Sequence, residues 1–362
     1  MGMAALLMCG TVNANSWRVC SKPEAGANFT SVAAAVASNS VFAGDTLYVE
    51  PGHFENTGVS IDKSLVIIGP GYLFEDNNIN VMNPEAATFN AIYLTRKNTQ
   101  ISGLKLLGGV TISDTSCTVK NCYIRGTGNV IYFNSGTGHQ IMDCLIYGNI
   151  GANGYFQNQW NLLIQNNIIY GKIECSPVHA SIIRNNTVIG YSDIYNYRYS
   201  NWDNGYCIVN VGEECEIYNN IVINTCTNYY TQTDANQNVD TSFSEDYTIT
   251  RESTCDVYNN ILSGHNYSLF RNCVFNQQLE DVLIWNNANT IEEKFKHLAT
   301  GPAVGSGVNG TTCGAYGQVS GGRAYQPAGI PQNRPYIYDA DIDNTPSSNN
   351  TINASFKIKV QQ

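Results

Sequence analysis

A short motif recurs along the middle of this chain. It consists of an alternating apolar run, a pair of asparagines or a substitute for them, a second apolar run and a closing glycine or asparagine, and its clearest copy is Leu162–Gly171. Aligned on the first asparagine or its substitute, successive copies are 18, 22, 23, 19, 34, 40 and 27 residues apart. A period near twenty residues with insertions of variable length is typical of a solenoid. The aligned positions are Gly103, Asn121, Asp143, Asn166, Asn185, Asn219, Asn259 and Asn286.

Each copy predicts a strand, a sharp turn and a second strand, because its apolar residues alternate with a period of two. Such a unit cannot bury its apolar face alone, whereas stacked units bury a continuous core and project their insertions from one side. Asparagine suits the turn because it tolerates left-handed backbone angles, and stacked asparagine side chains can form a hydrogen-bonded ladder. We therefore assign these asparagines a structural role rather than a catalytic one.

Three further segments precede the repeats. Residues 28–36 begin an alanine-rich helix predicted over 28–43, residues 44–52 contain a strand and a Pro-Gly turn, and residues 59–69 contain two more strands. Together with the repeats, these three segments resemble the right-handed parallel β-helix family, the pectin-lyase-like fold of secreted bacterial proteins. The resemblance implies an all-β solenoid with an N-terminal capping helix. It says little about chemistry, because one scaffold carries many activities.

The chain divides into three predicted parts. Residues 1–14 form an apolar run ending in small residues, which predicts a secretion signal, with a buried N-terminal cap as the alternative. Residues 15–317 form the β-helix domain. Residues 318–362 form a linker and short C-terminal strands that pack on the flank of the β-helix. We therefore expect a secreted, periplasmic or cell-surface protein without a membrane-spanning segment.

The composition argues against some classes of binding partner. Charged residues make up only 13% of the chain and the net charge is -10, without a basic cluster, so nucleic acid is a poor partner. The twelve cysteines leave two alternatives open. Same-phase cysteines of neighbouring coils could form bridges, such as Cys122 with Cys144 or Cys215 with Cys255. Alternatively, they are buried free thiols, which we favour because cysteine packs well as a small apolar residue.

Two long insertions interrupt the repeats at 191–206 and 227–246. Both leave the coil after the strand that follows the asparagine turn, so they should project from the same edge and touch one another, with a groove beside them. Aromatic rings pack against sugar C–H groups, and polar side chains bind sugar hydroxyls. The alternative is that the rings form a small core that holds the loops together. The predicted substrate-binding residues are Tyr195, Tyr197, Arg198, Tyr199, Trp202, Tyr206, Tyr229 and Tyr230.

Catalytic candidates are less distinct. Lys172 and Glu174 should point outward from the strand beside the insertions, and in lyases of the resembling family that strand carries a proton-abstracting base and calcium ligands. The alternative, which we favour, is an ordinary surface ion pair. Asp193 and Asp203 are candidates for a glycosidase pair because they share a loop. No clear acidic column for calcium, and none of the family's polygalacturonase or methylesterase motifs, is evident, so no metal or other cofactor is predicted.

Two functions remain open. The first is recognition of a polysaccharide or surface glycan in the groove, with lyase or hydrolase activity as an extension. The second is a non-catalytic surface or adhesive protein whose scaffold is itself the product. The sequence leaves the sugar, the enzymatic activity and the oligomeric state undetermined.

Overall fold

The structure is a computed structural model. It describes residues 14–79, 81, 83–152, 159–190, 207–225, 230–233, 239–242, 249–251, 254–264, 268–318, 323–331, 335–342 and 354–360. Over these ranges the chain winds as a parallel β-helix. Ile164 pairs in register with Ile183, and Ile183 with Ile217, so residues of successive repeats become vertical neighbours. The predicted all-β solenoid is confirmed.

Each complete coil contributes a strand to each of three sheets, and the strands are numbered here in chain order. The first sheet precedes the asparagine turn. Its strands are β1 (Ser16–Val19), β2 (Thr46–Val49), β5 (Val66–Ile68), β8 (Gln100–Ser102), β11 (Thr118–Lys120), β13 (Gln140–Met142), β16 (Leu163–Gln165), β19 (Ile182–Arg184), β22 (Glu216–Tyr218) and β27 (Asp256–Tyr258).

The second sheet follows the turn, and the third sheet follows a further bend. The second sheet contains β3 (Gly52–His53), β6 (Ala87–Phe89), β9 (Lys105–Leu106), β17 (Ile168–Tyr170), β20 (Thr187–Gly190), β23 (Ile221–Asn224) and β28 (Ile261–Leu262). The third contains β4 (Val59–Ile61), β7 (Ile92–Leu94), β10 (Val110–Ile112), β18 (Ile173–His179), β21 (Ile208–Val211) and β26 (Ile249–Arg251), with β15 (Gln159–Trp160) paired to β18. Two long strands, β12 (Tyr123–Phe133) and β14 (Leu145–Ala152), continue through the bend and belong to both sheets.

Helices are few and short. The N-terminal helix α1 (Val32–Ala37) packs its apolar side into the core, and Ser31 Oγ accepts a hydrogen bond from the Ala34 amide at 3.0 Å. It is shorter than the predicted 28–43 because its flanks turn rather than continue the helix. One other α-helix lies in the described ranges, α2 (Leu279–Val282), and it follows the coils. The 3-10 turns are Pro23–Ala25, Trp285–Asn287, Glu293–Phe295, Val308–Gly310 and Pro327–Gly329.

The asparagine turn is the same in successive coils. The first asparagine adopts a left-handed conformation, with φ of 54° at Asn166, 53° at Asn185 and 57° at Asn219, and Asp143 does the same in an earlier coil. The first asparagine therefore makes the turn, as its backbone tolerance predicted.

The second asparagine of each pair builds the ladder. Asn186 Nδ2 donates to Asn220 Oδ1 at 3.0 Å, and Asn167 and Asn220 donate in the same way to Asn186 and Asn260. Each of these Oδ1 atoms also accepts a backbone amide from the coil before it. Because these side chains are buried and saturated, the ladder fixes the register of the stack.

Cysteines occupy the ladder position at both of its ends. Cys144, one coil before the ladder, donates its amide to Asn167 Oδ1, and Cys273, one coil after it, accepts the Asn260 amide at its sulfur. Of the ten cysteines in the described ranges, nine form no disulfide, so neither Cys122 with Cys144 nor Cys215 with Cys255 is bridged. Burial raises the pKa of the Cys144 thiol well above its ordinary value, which makes it an inert packing group.

One predicted repeat is wrong. Asn286 lies in a 3-10 turn and makes no coil. The last turn of this type is instead at Asn272, with φ of 52°, where Arg271 bridges to Tyr258 and Val274 to Ile261. This coil is difficult to recognise in the sequence, because its turn has one asparagine rather than two and comes only thirteen residues after the preceding turn.

The second sheet is buried on both sides. Ile169 faces the interior of the β-helix, whereas Ile168 lies in a separate apolar cluster on the outside, and both are fully buried. The outside is covered by residues 279–297 and by a segment that we call the strap, residues 301–318 and 323–331. Its buried side chains include Cys313, Ala315 and Tyr325.

The strap runs back along the asparagine turns, from the last coils toward the first. Its Ser306 carbonyl accepts from Asn259 Nδ2, its Val308 amide donates to Asn219 Oδ1, and its Arg323 carbonyl accepts from Asn166 Nδ2. At its far end, the Ala328 carbonyl accepts the Tyr72 amide at 2.8 Å. Part of the predicted linker is thus packed onto the β-helix.

Two antiparallel pairs complete the structure. Strands β24 (Tyr230–Thr233) and β25 (Val239–Ser242) belong to the second insertion. Strands β29 (Pro335–Ile342) and β30 (Ala354–Val360) form the C-terminal pair, and every residue of β30 is exposed. Packing of this pair on the flank of the β-helix, like the boundaries of the three predicted parts, stays a prediction.

Candidate functional site

Both long insertions leave the β-helix at the bend between the second and third sheets. Gly190, where β20 ends, pairs with Asn224, where β23 ends. Ile208 at the start of β21 pairs with Ile249 at the start of β26. The insertions therefore begin and end at equivalent positions of adjacent coils, which confirms that they leave the β-helix at the same edge. Contact between them stays a prediction.

The preceding coil gives the length of an uninterrupted bend. There, Gly171 and Lys172 connect β17 to β18 directly, and the Ile173 amide donates to the Cys207 carbonyl at 2.9 Å. By register, Gly171 corresponds to Gly190 and Lys172 to Cys207. The first insertion is therefore the sixteen residues 191–206, added between two residues that adjoin in the coil before.

Glycine is required at this uninterrupted bend. A Cβ on Gly171 would lie 2.3 Å from the Gly148 carbonyl oxygen, a backbone atom that cannot move aside, and its φ is 155°. The close approach of the two coils brings Lys172 against Asn149, whose Oδ1 accepts the Lys172 amide at 3.0 Å. The local sequence therefore places Lys172 at the corner where the insertions leave in the next two coils.

Lys172 and Glu174 flank the buried Ile173, in the alternation that the sequence predicted. Lys172 is half-buried at the corner, and Glu174 is exposed on the outer face of the third sheet. The two residues thus lie beside the bases of both insertions. Their catalytic role stays a prediction.

Most of the other predicted site residues lie outside the described ranges. Tyr230 is the first residue of β24, and its side chain is not among those described. The residues outside the described ranges are Asp193, Tyr195, Tyr197, Arg198, Tyr199, Trp202, Asp203, Tyr206 and Tyr229.

The register also identifies residues that sequence reasoning missed. Glu174 pairs with Gly151, Gly151 with Tyr132, Tyr132 with Thr111, and Thr111 with Tyr93. These residues form one outward-facing column on the third sheet. We call it the tyrosine column. Tyr93 is 42% exposed and Tyr132 is half-buried. It extends the candidate site from Glu174 toward the N-terminal coils along the outer face of the third sheet. Only the strand pairing reveals it, because the loops between these strands differ in length.

A second aromatic surface, on the first sheet, has a different character. Tyr218 and Tyr258 stack on each other, with ring centroids 5.0 Å apart and planes inclined by 10°. Arg184 covers the free face of Tyr218 at 6.0 Å, and Arg271, paired with Asp256, covers that of Tyr258 at 5.1 Å. Because both faces of each ring are occupied, this stack braces neighbouring coils and offers no ring face to a ligand.

Within the residues that the structure describes, no group of three or more His, Cys, Asp or Glu side chains could hold a metal ion. Within these residues too, no helix has the length and apolar character needed to cross a membrane.

A buried carboxyl lies beneath the strap, apart from the insertion edge. Glu292 is fully buried, and its Oε2 accepts the Ala328 amide at 2.9 Å. Asn77 Nδ2 also donates to Oε2, and the Tyr325 hydroxyl hydrogen-bonds to Oε1. Burial raises the pKa of Glu292 to about 7, and its hydrogen bonds only partly offset this effect.

Comparisons with known proteins add little to this geometry. No family model and no curated protein matches the chain. Among solved structures, the pectate lyase Pel9A has a TM-score of 0.46 at 12% identity, over 82% of this chain and 93% of that one. A rhamnogalacturonan lyase has a TM-score of 0.34 at 12% identity, over 69% of this chain and 68% of that one. Likenesses this distant carry no functional information to this chain.

Proposed function

We propose that this protein binds a polysaccharide along the outer face of the third sheet, in the groove beside the 191–206 and 227–246 insertions. The observation that supports this proposal is the common origin of the two insertions. They start at the paired residues Gly190 and Asn224 of adjacent coils, next to the coil that carries Lys172 and Glu174. In this proposal the two segments, rooted one above the other, supply the walls of the groove, and loops on a rigid scaffold commonly carry binding residues.

The residue types support a sugar ligand. The insertions are rich in tyrosine and also contain Trp202, Arg198 and Asp203. The tyrosine column adds Tyr93 and Tyr132 on the same sheet as Glu174. Rings pack against the apolar faces of pyranoses, while amide, carboxylate and hydroxyl groups bind their hydroxyls. An extended stripe of such groups suits a chain of sugars better than a single one. A polysaccharide partner implies a place of action outside the cytoplasm or at the cell surface.

The test is a glycan array followed by titration of the strongest glycan. We expect Trp202→Ala and Tyr132→Ala each to weaken binding about tenfold, the size of one aromatic contact of roughly 1.4 kcal/mol. The matched control is Tyr48→Ala, which removes a ring that is 40% exposed on the first sheet. Binding that survives Trp202→Ala and Tyr132→Ala unchanged contradicts the site. Binding to no glycan supports the alternative of a non-catalytic surface scaffold.

Cleavage would extend the same proposal. In a lyase reaction, Lys172 would take the proton from the carbon next to the sugar carboxylate. The glycosidic C–O bond at the adjacent carbon would break as the double bond forms, and Glu174 would protonate the leaving oxygen. In a hydrolase reaction, Asp193 and Asp203 would act as the carboxylate pair. Incubation with the bound glycan distinguishes the two, because only a lyase forms an unsaturated sugar end that absorbs ultraviolet light. Lys172→Met should abolish that product without abolishing binding, and Asp203→Asn should abolish hydrolysis.

A further inference from the structure

Glu292 joins three separate parts of the chain. It lies in the segment 279–297, and its side chain contacts Asn77 in the loop that follows β5. On its other side it contacts Tyr325 and Ala328 of the strap. The Tyr325 hydroxyl lies 3.0 Å from the Tyr72 hydroxyl, which extends the network back to the loop. The strap is therefore fastened to the early coils through one titratable side chain.

No cation balances this carboxyl among the described residues, in contrast to a second buried acid of the chain. Burial opposes ionisation of Asp45, but three hydrogen-bond donors and the nearby Lys63 outweigh it and lower the pKa of Asp45. Around Glu292 the charged neighbour that affects its pKa is Asp76, and the negative charge of Asp76 raises the pKa of Glu292 further. Ionised Glu292 is therefore a buried negative charge held only by neutral donors, which is a costly arrangement.

The groups that face Glu292 are all acids or neutral donors. From the loop they are Tyr72 and Asp76, from the strap Tyr316 and Tyr325, and from the second sheet Tyr147. Burial is the largest cause that raises the pKa of each of these tyrosines, so they stay protonated at neutral pH. Within its own segment, Lys294 and Lys296 are exposed. Glu292 is thus the group in this network that changes charge near neutral pH.

The hydrogen-bond network can be satisfied in either charge state, so burial of the charge distinguishes the two. With Glu292 ionised, the Tyr325 hydroxyl donates to Oε1 and can accept from Tyr72. With Oε1 protonated, Glu292 can donate to Tyr325 instead, and Tyr325 can then donate to Tyr72. Oε2 continues to accept from Asn77 and Ala328. A cleft of about 290 Å³, lined in part by Asn77, Tyr316 and Pro327, brings solvent close to this network.

We propose that Glu292 is a protonation-controlled fastener, which holds the strap on the second sheet while its carboxyl is neutral and loosens the strap when the carboxylate forms. Loosening uncovers the outer apolar cluster, including the row of rings Tyr123, Tyr147 and Tyr170. This device is independent of the proposed sugar site, because it uses the second sheet rather than the third.

The direction of the pH effect follows from linkage. The pKa of Glu292 is raised from an ordinary value of 4.5 to about 7 with the strap in place. With the strap open, the carboxyl regains water and loses its proton more readily. The stability of the closed strap is therefore full below about pH 4.5, falls as pH rises from there to about 7, and is constant above. The separation of the two pKa values limits the change in the opening equilibrium to a few hundred-fold.

Trypsin cleavage after Arg323 measures the opening. The carbonyl of this bond accepts a hydrogen bond from Asn166 Nδ2, so cleavage requires release of the strap. Cleavage after Lys359, in the exposed strand β30, serves as an internal reference for the activity of trypsin itself. We expect the ratio of the Arg323 rate to the Lys359 rate to rise at least tenfold between about pH 5.5 and about pH 8.

Two variants make the test specific. Glu292→Gln keeps the shape and hydrogen bonds but cannot ionise, so its ratio should stay low and flat across this pH range. Glu293→Gln removes a half-buried carboxyl next to it and should follow the unmodified protein. Amide hydrogen exchange at Ala328, whose amide binds Glu292, should rise in parallel with the cleavage. A flat ratio in the unmodified protein, or a rise that persists in Glu292→Gln, overturns the proposal.

Discussion

The two bends of each coil differ in what they permit. The asparagine turn between the first and second sheets is the same from Asn166 to Asn259, with a left-handed first residue and a laddered second one. The bend between the second and third sheets is a single glycine step at Gly171 but gains sixteen residues in the next coil. One bend is tied from coil to coil by a ladder of buried asparagine side chains. The other also has hydrogen bonds between coils, such as that of the Ile173 amide to the Cys207 carbonyl, but they come mainly from the backbone and form no such ladder.

Because of this difference, the asparagine turn stabilises the stack of coils, whereas the other bend tolerates insertions. Any insertion at the ladder would leave buried amides without partners, so the chain keeps that turn constant. The other bend opens toward solvent, where extra residues cost little because closure entropy grows slowly with loop length. The candidate binding groove lies at the bend that can vary. Substitutions at three positions and one deletion test this division.

The largest effect should follow Asn186→Ala. Its side chain bonds to Asn167, Asn220 and the Ile164 carbonyl, so its removal strands several buried polar groups. We expect the free energy of unfolding to fall by about 4 kcal/mol in denaturant titrations. Asn90→Ala, which removes a single exposed hydrogen bond to Asn56, is the control and should cost less than about 1 kcal/mol. Equal costs for the two would mean that the ladder does not hold the stack.

Gly171→Ala probes the uninterrupted form of the other bend. Its added methyl group would meet the Gly148 carbonyl oxygen, so the two coils must separate locally. We expect a loss of about 2 kcal/mol in the same titration. The matched control is Gly128→Ala, because a Cβ there meets nothing within 4 Å although its φ is also positive, at 69°. A cost at Gly171 no larger than at Gly128 would contradict the close approach.

At the first asparagine of the turn, the backbone conformation rather than hydrogen bonding should determine how a substitution changes the stability of the protein. Asn185 has φ of 53°, and its buried side chain has no hydrogen-bond partner within the part of the chain that is described. Asn185→Gly should therefore change stability by less than about 0.5 kcal/mol, whereas Asn185→Ile should cost about 1.5 kcal/mol. Thermal melting of the two variants gives the order, and a reversed order would show that the side chain matters more than φ.

Deletion of residues 191–206 should have the smallest effect on stability. It joins Gly190 to Cys207 and recreates the step from Gly171 to Lys172 in the preceding coil. We expect a change in the free energy of unfolding within about 1 kcal/mol, together with loss of glycan binding. Unfolding of the shortened protein would indicate that the insertion supports the β-helix and is not simply carried by it.

The features of this fold that depend on neighbouring residues in the sequence, such as turns and strands, could be predicted from the sequence. Asparagine in a left-handed turn and alternating apolar residues are read directly from Leu162–Gly171, and the shared edge of the insertions follows from their phase. Asn286 misled because an asparagine pair alone makes no coil without strands on either side. Asn272 was missed because its coil has only one asparagine.

The covered second sheet required long-range information. The strap contacts Asn166 and Tyr72, which lie more than one hundred residues before it in the sequence. No local sequence pattern predicts these contacts. A signal was nevertheless present in Thr187–Gly190 and Ile221–Asn224. These strands are continuously apolar or small rather than alternating, which is typical of burial on both faces. Glu292 and the tyrosine column emerge only from the pairing of distant segments.

The stacking of coils across the largest insertion is tested most directly by cross-linking Tyr218→Cys to Tyr258→Cys. The two positions are forty residues apart in sequence but paired in register on the outside of the first sheet, at a separation that a disulfide spans. Under mild oxidation, peptide mapping should find this bridge in most molecules, and it should find none between Tyr218→Cys and Tyr48→Cys, which lie many coils apart on the same face. Failure of the first pair to cross-link, or equal yields from both pairs, would contradict the stacked register.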